Sequence, residues 1–165
     1  MEAAEEQLTP VAARVHELLR ARGESLATAE SLTGGMVGAI LTGVAGASAT
    51  YRGGVVVYST DLKATLLGVP DALLAERGAV DPDVAAAMAS GVGERLGADW
   101  GLALTGVAGP DSQDGKAVGT VYIAVSGLGT TSVVERVFPG DREEVRRAAC
   151  ADALQTMYDR LADGE

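Results

Sequence analysis

Over its first hundred residues the chain alternates short apolar runs with segments of helical period. That pattern predicts strands at 25–29, 53–58 and 99–105 separated by helices at 33–42, 61–67, 71–77 and 82–96. Such alternation calls for parallel pairing with crossover helices, and so for a sheet covered on both faces. Further on, 118–125 and 131–138 flank Ser126-Gly-Leu-Gly-Thr130 and read as an antiparallel hairpin. A first helix, 9–22, takes Thr9 as cap, Pro10 at its first position and Gly23 as stop. A last helix, 141–161, turns Val145, Ala149, Leu154, Met157, Tyr158 and Leu161 inward. The fold expected is α/β, a three-layer α/β/α arrangement on a mixed, mainly parallel sheet of about five strands. No linker-like stretch divides the chain, so 1–165 reads as one domain with its core at about 8–161.

With aromatics at 4%, the core must be built from Ala, Val, Leu and Ile at close packing, and 22 glycines suit tight strand–helix connections. A chain of this length buries about 70% of the surface its unfolded form exposes, enough for one core without staples. One cysteine, Cys150, excludes an intrachain disulfide framework, and with a single histidine an ordinary zinc site is excluded too. No metal and no cofactor is expected. The net charge of -10 argues against nucleic acid as a direct ligand. No apolar run reaches membrane-spanning length and the start, Met1-Glu-Ala-Ala-Glu-Glu6, is acidic, unlike a signal peptide. A cytoplasmic protein with no membrane partner is expected.

Two residues carry chemistry. In Leu26-Ala-Thr-Ala-Glu30-Ser31-Leu-Thr33-Gly34-Gly35, Ser31 falls at a strand-to-helix turn whose helix begins near Thr33. There it faces unpaired amides at the positive helix end and serves either as cap or as nucleophile. What activates it is limited by composition. His16, the only histidine, lies beside the inward stripe of the first helix and is expected in solvent, which removes a Ser-His-Asp triad. Of thirteen basic residues only Lys63 and Lys116 are lysines. Arginine cannot act as a base in a protein, whereas a buried lysine loses its proton readily. Lys63, after the strand closed by Tyr58, is the candidate base, with Tyr58 to relay a proton or orient the amine. A serine with a lysine base is a known variant of triad chemistry. Lys116 belongs to a polar loop.

Thr28-Ala-Glu-Ser31-Leu-Thr-Gly-Gly35, Tyr58-Ser-Thr-Asp-Leu-Lys63, Gly78-Ala-Val80, and Thr105-Gly-Val-Ala-Gly-Pro-Asp111 followed by Val118-Gly-Thr-Val121 together resemble the C-terminal domain of the competence/damage-inducible CinA proteins, over roughly residues 8–161. That family includes stand-alone bacterial nicotinamide-nucleotide amidases. The resemblance implies deamidation of nicotinamide mononucleotide to nicotinate mononucleotide and ammonia, with Ser31 as nucleophile, Lys63 as base and Tyr58 assisting. It implies substrate contacts from Glu30, Thr33, Gly34, Gly35 and Thr60, the last standing where family members often carry asparagine. Larger members carry an additional N-terminal domain, and none is expected within this chain. The family's naming implies a recombination-linked protein partner, and a homo-oligomer is expected. An inactive interaction module and a pyridine-nucleotide sensor are the non-catalytic readings.

The loop Gly106-Val-Ala-Gly109-Pro-Asp111, after the strand ending at Thr105, offers close backbone approach to a carboxamide, ribose or phosphate, and it lacks the spacing of a Walker loop. Thr105, Gly106 and Gly109 are therefore expected in the pocket wall. A phosphate needs local positive charge within this acidic chain. Arg142, Arg146 and Arg147 near a helix start are its candidates, Arg142 and Arg146 one helical turn apart on one face; the alternative is that Glu143 pairs with Arg147 while the other two are solvated.

Overall fold

The computed structural model describes residues 2–164. Helix α1 (Glu2–Arg22) leads into β1 (Leu26–Glu30), α2 (Met36–Thr42), a 3-10 turn at Ala47–Ala49 and β2 (Tyr51–Val56). Then come α3 (Thr60–Leu67), α4 (Asp71–Arg77), α5 (Pro82–Leu96), β3 (Trp100–Gly106), the hairpin β4 (Thr120–Gly127) and β5 (Thr130–Val137), and α6 (Arg142–Asp163). The sheet order is β2-β1-β3-β4-β5. β1 pairs parallel with β2 and β3, while β3–β4 and β4–β5 are antiparallel. β5 thus runs with β1, β2 and β3, so four of five strands share one direction. The expected α/β/α sandwich and its terminal hairpin are present.

Side chains alternate across the sheet and decide which helices lie on which face. Leu26, Trp100, Leu102, Leu104, Val121 and Ile123 meet α1, α2 and α6. The opposite face presents Ala27, Ala29, Ala103 and Ala124 to α3, α4 and α5. Large residues on one face and alanines on the other bring α5 close to the strands. A Cβ on Gly101 would strike the carbonyl oxygen of Ala89 in α5, and one on Gly91 would strike that of Leu67 in α3. These two glycines are required by that approach.

Four local expectations are corrected. α1 starts at Glu2 rather than Thr9 and carries Pro10 in its interior. Thr9 is not its cap, because the hydroxyl bonds back to the Glu5 carbonyl at 2.6 Å. Leu8 and Val11 pack on the core, which compensates the backbone bond that Pro10 cannot make. α2 begins at Met36, not near Thr33. β2 ends at Val56, short of Tyr58, although the Val57 amide still donates to the Glu30 carbonyl at 2.9 Å. His16 is buried rather than solvated. Its Nε2 lies 2.8 Å from the Leu41 carbonyl and its Nδ1 2.5 Å from the Thr50 hydroxyl. With Nε2 donating to the carbonyl, Nδ1 accepts from the hydroxyl, and burial lowers the imidazole pKa. The cause is α2, whose C-terminal end covers that side of α1. Among the described residues no helix is long and apolar enough to cross a membrane.

Candidate active site

The end of β1 is organised by Glu30, not by Ser31. The Glu30 carboxylate is buried and accepts the amides of Gly35 at 3.2 Å, Val37 at 3.0 Å and Gly38 at 3.1 Å, so it caps α2 itself. For the chain to bend back over this carboxylate, Gly34 and Gly35 take φ values of 60° and 104°, a region that side chains rarely enter. Arg146 of α6 secures the turn from outside, Nε donating to the Leu32 carbonyl at 2.8 Å. Ser31 therefore does not face the helix amides as expected. Its hydroxyl is released from capping and points elsewhere.

It meets Lys63. The amine lies 3.2 Å from Ser31 Oγ and donates to the Val57 carbonyl at 2.7 Å. Lys63 sits one turn into α3 and is 1% exposed. Burial without a direct carboxylate partner lowers its pKa from 10.5 to about 8, with the charge of Asp114 working the other way. At pH 7.5 a group of that pKa is about one quarter neutral, against roughly 0.1% for an ordinary lysine. The Val57 carbonyl holds one N–H, so the lone pair of the neutral amine is directed to the serine proton. Tyr58 was the expected orienting group. Its ring is instead 61% exposed, and its hydroxyl accepts from Arg142 at 3.0 Å.

A cavity of about 150 Å³ opens over this pair. Ser31, Lys63, Ala79, Val80, Thr105 and Val107 are its buried floor and walls, while Tyr58, Asp111, Gln113 and Arg142 form an exposed rim. It lies beyond the carboxyl ends of β1, β2 and β3, where the connection leaving β1 runs outward to β2 and the one leaving β3 runs the other way to β4. Ligands bind at such switch points in open α/β sheets. Gly106 and Gly109 also line it. The Arg142 guanidinium closes the loop, one nitrogen donating to the Gly109 carbonyl at 2.6 Å.

Of the residues singled out in the sequence, Ser31, Tyr58, Lys63, Thr105, Gly106, Gly109 and Arg142 line the cavity together. Glu30, Thr33, Gly34, Gly35 and Arg146 stand behind it as the capped turn, and Thr60 is exposed at the start of α3. Arg146 is spent on backbone carbonyls, which leaves Arg142 as the arginine of the cavity wall. Arg147 pairs with Glu143, the alternative to its binding a phosphate. The Val57 carbonyl and Asp114 were not singled out. A backbone carbonyl carries no sequence signal, and Asp114 lies in the polar loop of Lys116, where nothing local marks its contact with Ala79.

The family described as CinA C-terminal domain matches residues 8–161. A CinA-like protein of Frankia casuarinae is 50% identical over 145 residues, which are 88% of this chain and 34% of that protein. One from Anaeromyxobacter dehalogenans is 51% identical over 87% of this chain and 35% of its own length. The chain thus spans about a third of the length of these curated relatives. Among solved structures, competence damage-inducible protein A from Klebsiella pneumoniae superposes with a TM-score of 0.92 at 37% identity, over 96% of this chain and 99% of that one. The competence/damage inducible protein CihA of Agrobacterium tumefaciens gives 0.88 at 35% identity, over 94% and 95%.

Proposed function

The chain belongs to the CinA C-terminal domain family, and we propose that its Ser31–Lys63 pair hydrolyses the carboxamide of nicotinamide mononucleotide to nicotinate mononucleotide and ammonia. The observation that carries this reading is a serine hydroxyl, free of any capping duty, 3.2 Å from a buried amine whose pKa is lowered to about 8. Neutral Lys63 takes the hydroxyl proton as Ser31 Oγ bonds to the carboxamide carbon. The resulting ammonium gives that proton to the amide nitrogen as the C–N bond breaks, releasing ammonia and leaving a nicotinoyl ester on Ser31. Water then attacks the ester carbon and loses a proton to Lys63, which returns it to Ser31 Oγ as the acid departs. A pKa near working pH suits a group that serves as base and acid in turn.

Ribose and phosphate project past the rim, where Arg142 supplies local positive charge within an acidic chain. Ammonia release from nicotinamide mononucleotide is the test, comparing the native chain with Ser31→Ala. Turnover should vanish while folding persists, because Glu30 and not Ser31 caps α2. Unchanged turnover in the variant would sink the nucleophile assignment, and no ammonia release by the native chain would return it to a binding or interaction role.

A further inference from the structure

Asp114 does not line the cavity, yet it holds part of the wall. It sits in a left-handed conformation, φ 51°, unusual for a residue with a side chain. Its Oδ2 accepts the Ala79 amide at 3.1 Å. The Asp114 side chain presses on Gly78, φ +78°, so closely that a Cβ there would lie 2.7 to 2.9 Å from it. From the sheet side, Thr105 Oγ1 donates to the Ala79 carbonyl at 2.7 Å. Both backbone polar groups of Ala79 are thereby fixed, and Ala79 with Val80 forms the wall that shares the cavity with Ser31 and Lys63.

Building on the Ser–Lys reading, we propose that Asp114 is a positioning residue of this site, whose carboxylate holds the Gly78–Val80 wall in place beside Ser31 and Lys63. Burial alone would make Lys63 a weaker base with a lower working pH, and Asp114 opposes that effect. The other charged groups around the amine are committed or sit at the rim. Glu30 is bonded to α2, and Asp61 to the Ser59 hydroxyl. Arg95 of α5 donates to the carbonyls of Thr65 and Leu66. Arg77 of α4 pairs with Asp81 and Asp83. Asp111 and Arg142 are exposed and opposite in sign. On its own loop Asp114 has Lys116, which lies over the Tyr122 ring.

Because the chain has two lysines, protein labelled with 13C at lysine Cε gives two titrating signals, and Lys116→Arg assigns them. Asp114→Asn keeps an acceptor for the Ala79 amide and removes the charge. It should lower the Lys63 midpoint by about half a pH unit, since an exposed carboxylate acts through partly screened solvent. The shift should shrink in high salt. The ascending limb of ammonia release should move down equally, about a threefold gain on the acid side, at unchanged KM. Asp114→Ala should lower the midpoint alike and also raise KM severalfold, because the wall is released. An unmoved KM in Asp114→Ala overturns the proposal, as does a Lys63 midpoint that stays put in both variants. A midpoint that falls in a chain showing no ammonia release at all supports the role of Asp114 and refutes the amidase reading instead, since the resonance titrates without turnover.

Discussion

Replacing Lys63 with methionine should cut activity by orders of magnitude and, at neutral pH, stabilise the fold. The side chain is 1% exposed, and its pKa falls from 10.5 to about 8. Between those values the unfolded chain binds a proton that the folded chain does not, so native stability climbs with pH across this window and is at its lowest below pH 8. A difference of 2.5 units corresponds to about 3 kcal/mol of penalty for holding the charged amine buried. Methionine, unbranched and of similar length, removes that penalty. It also removes the donor to the Val57 carbonyl, a loss of about 1 kcal/mol at every pH. The variant should therefore be more stable than the native chain by about 2 kcal/mol at pH 7 and less stable by about 1 kcal/mol above pH 10.5. Tyr51 and Cys150, whose pKa values burial raises, titrate at the alkaline end in both proteins and cancel in the difference. Urea unfolding from pH 7 to 10.5 measures it. A stability difference that stays flat over that range would show that Lys63 is not held with a lowered pKa. Deamidation by the variant should fall by about 10²- to 10⁴-fold, the usual contribution of a positioned base.

The two arginines of α6 should separate by substrate. Arg142→Ala should raise the Michaelis constant for nicotinamide mononucleotide by about tenfold and barely alter that for the riboside, which lacks phosphate, whereas Arg146→Ala should impair both alike because its guanidinium holds the Leu32 carbonyl; equal losses for both substrates in Arg142→Ala would make that residue structural as well. Glu30→Ala leaves three amides of the α2 start without their acceptor and should cost about 3 kcal/mol in urea unfolding, with Glu30→Gln intermediate; native-like stability in Glu30→Ala would contradict the capping role.

The elements that position the site were legible because each is written in local pattern. Alternating strands and helices, the hairpin around Ser126-Gly-Leu-Gly-Thr130 and the inward stripe of α6 all depend on neighbours within a few residues. Lys63 stood out by scarcity, and scarcity pointed to titration because arginine is excluded from that task. What stayed hidden are contacts between segments far apart in the chain. The carbonyl of Leu32 is held from Arg146, and the amide of Ala79 from Asp114. His16 was placed in solvent because one helix shows its own periodicity but not the helix end that will cover it.

The division of labour between Glu30 and Ser31 is the most instructive of these hidden contacts. Adjacent residues at a strand end point to opposite faces, so if one reaches the amides of the following helix the other turns away from them. Serine is a common cap and invites the assumption that it does the capping. A carboxylate satisfies three amides and complements the positive helix end as well, which a hydroxyl with one acceptor role at that end does less fully. Once Glu30 takes the helix, Ser31 is left on the side where α3 delivers Lys63. A nucleophile here thus depends on the residue before it being acidic, and a Glu30→Ser exchange would put a second hydroxyl at the cap and leave Ser31 in place while loosening the turn that aims it.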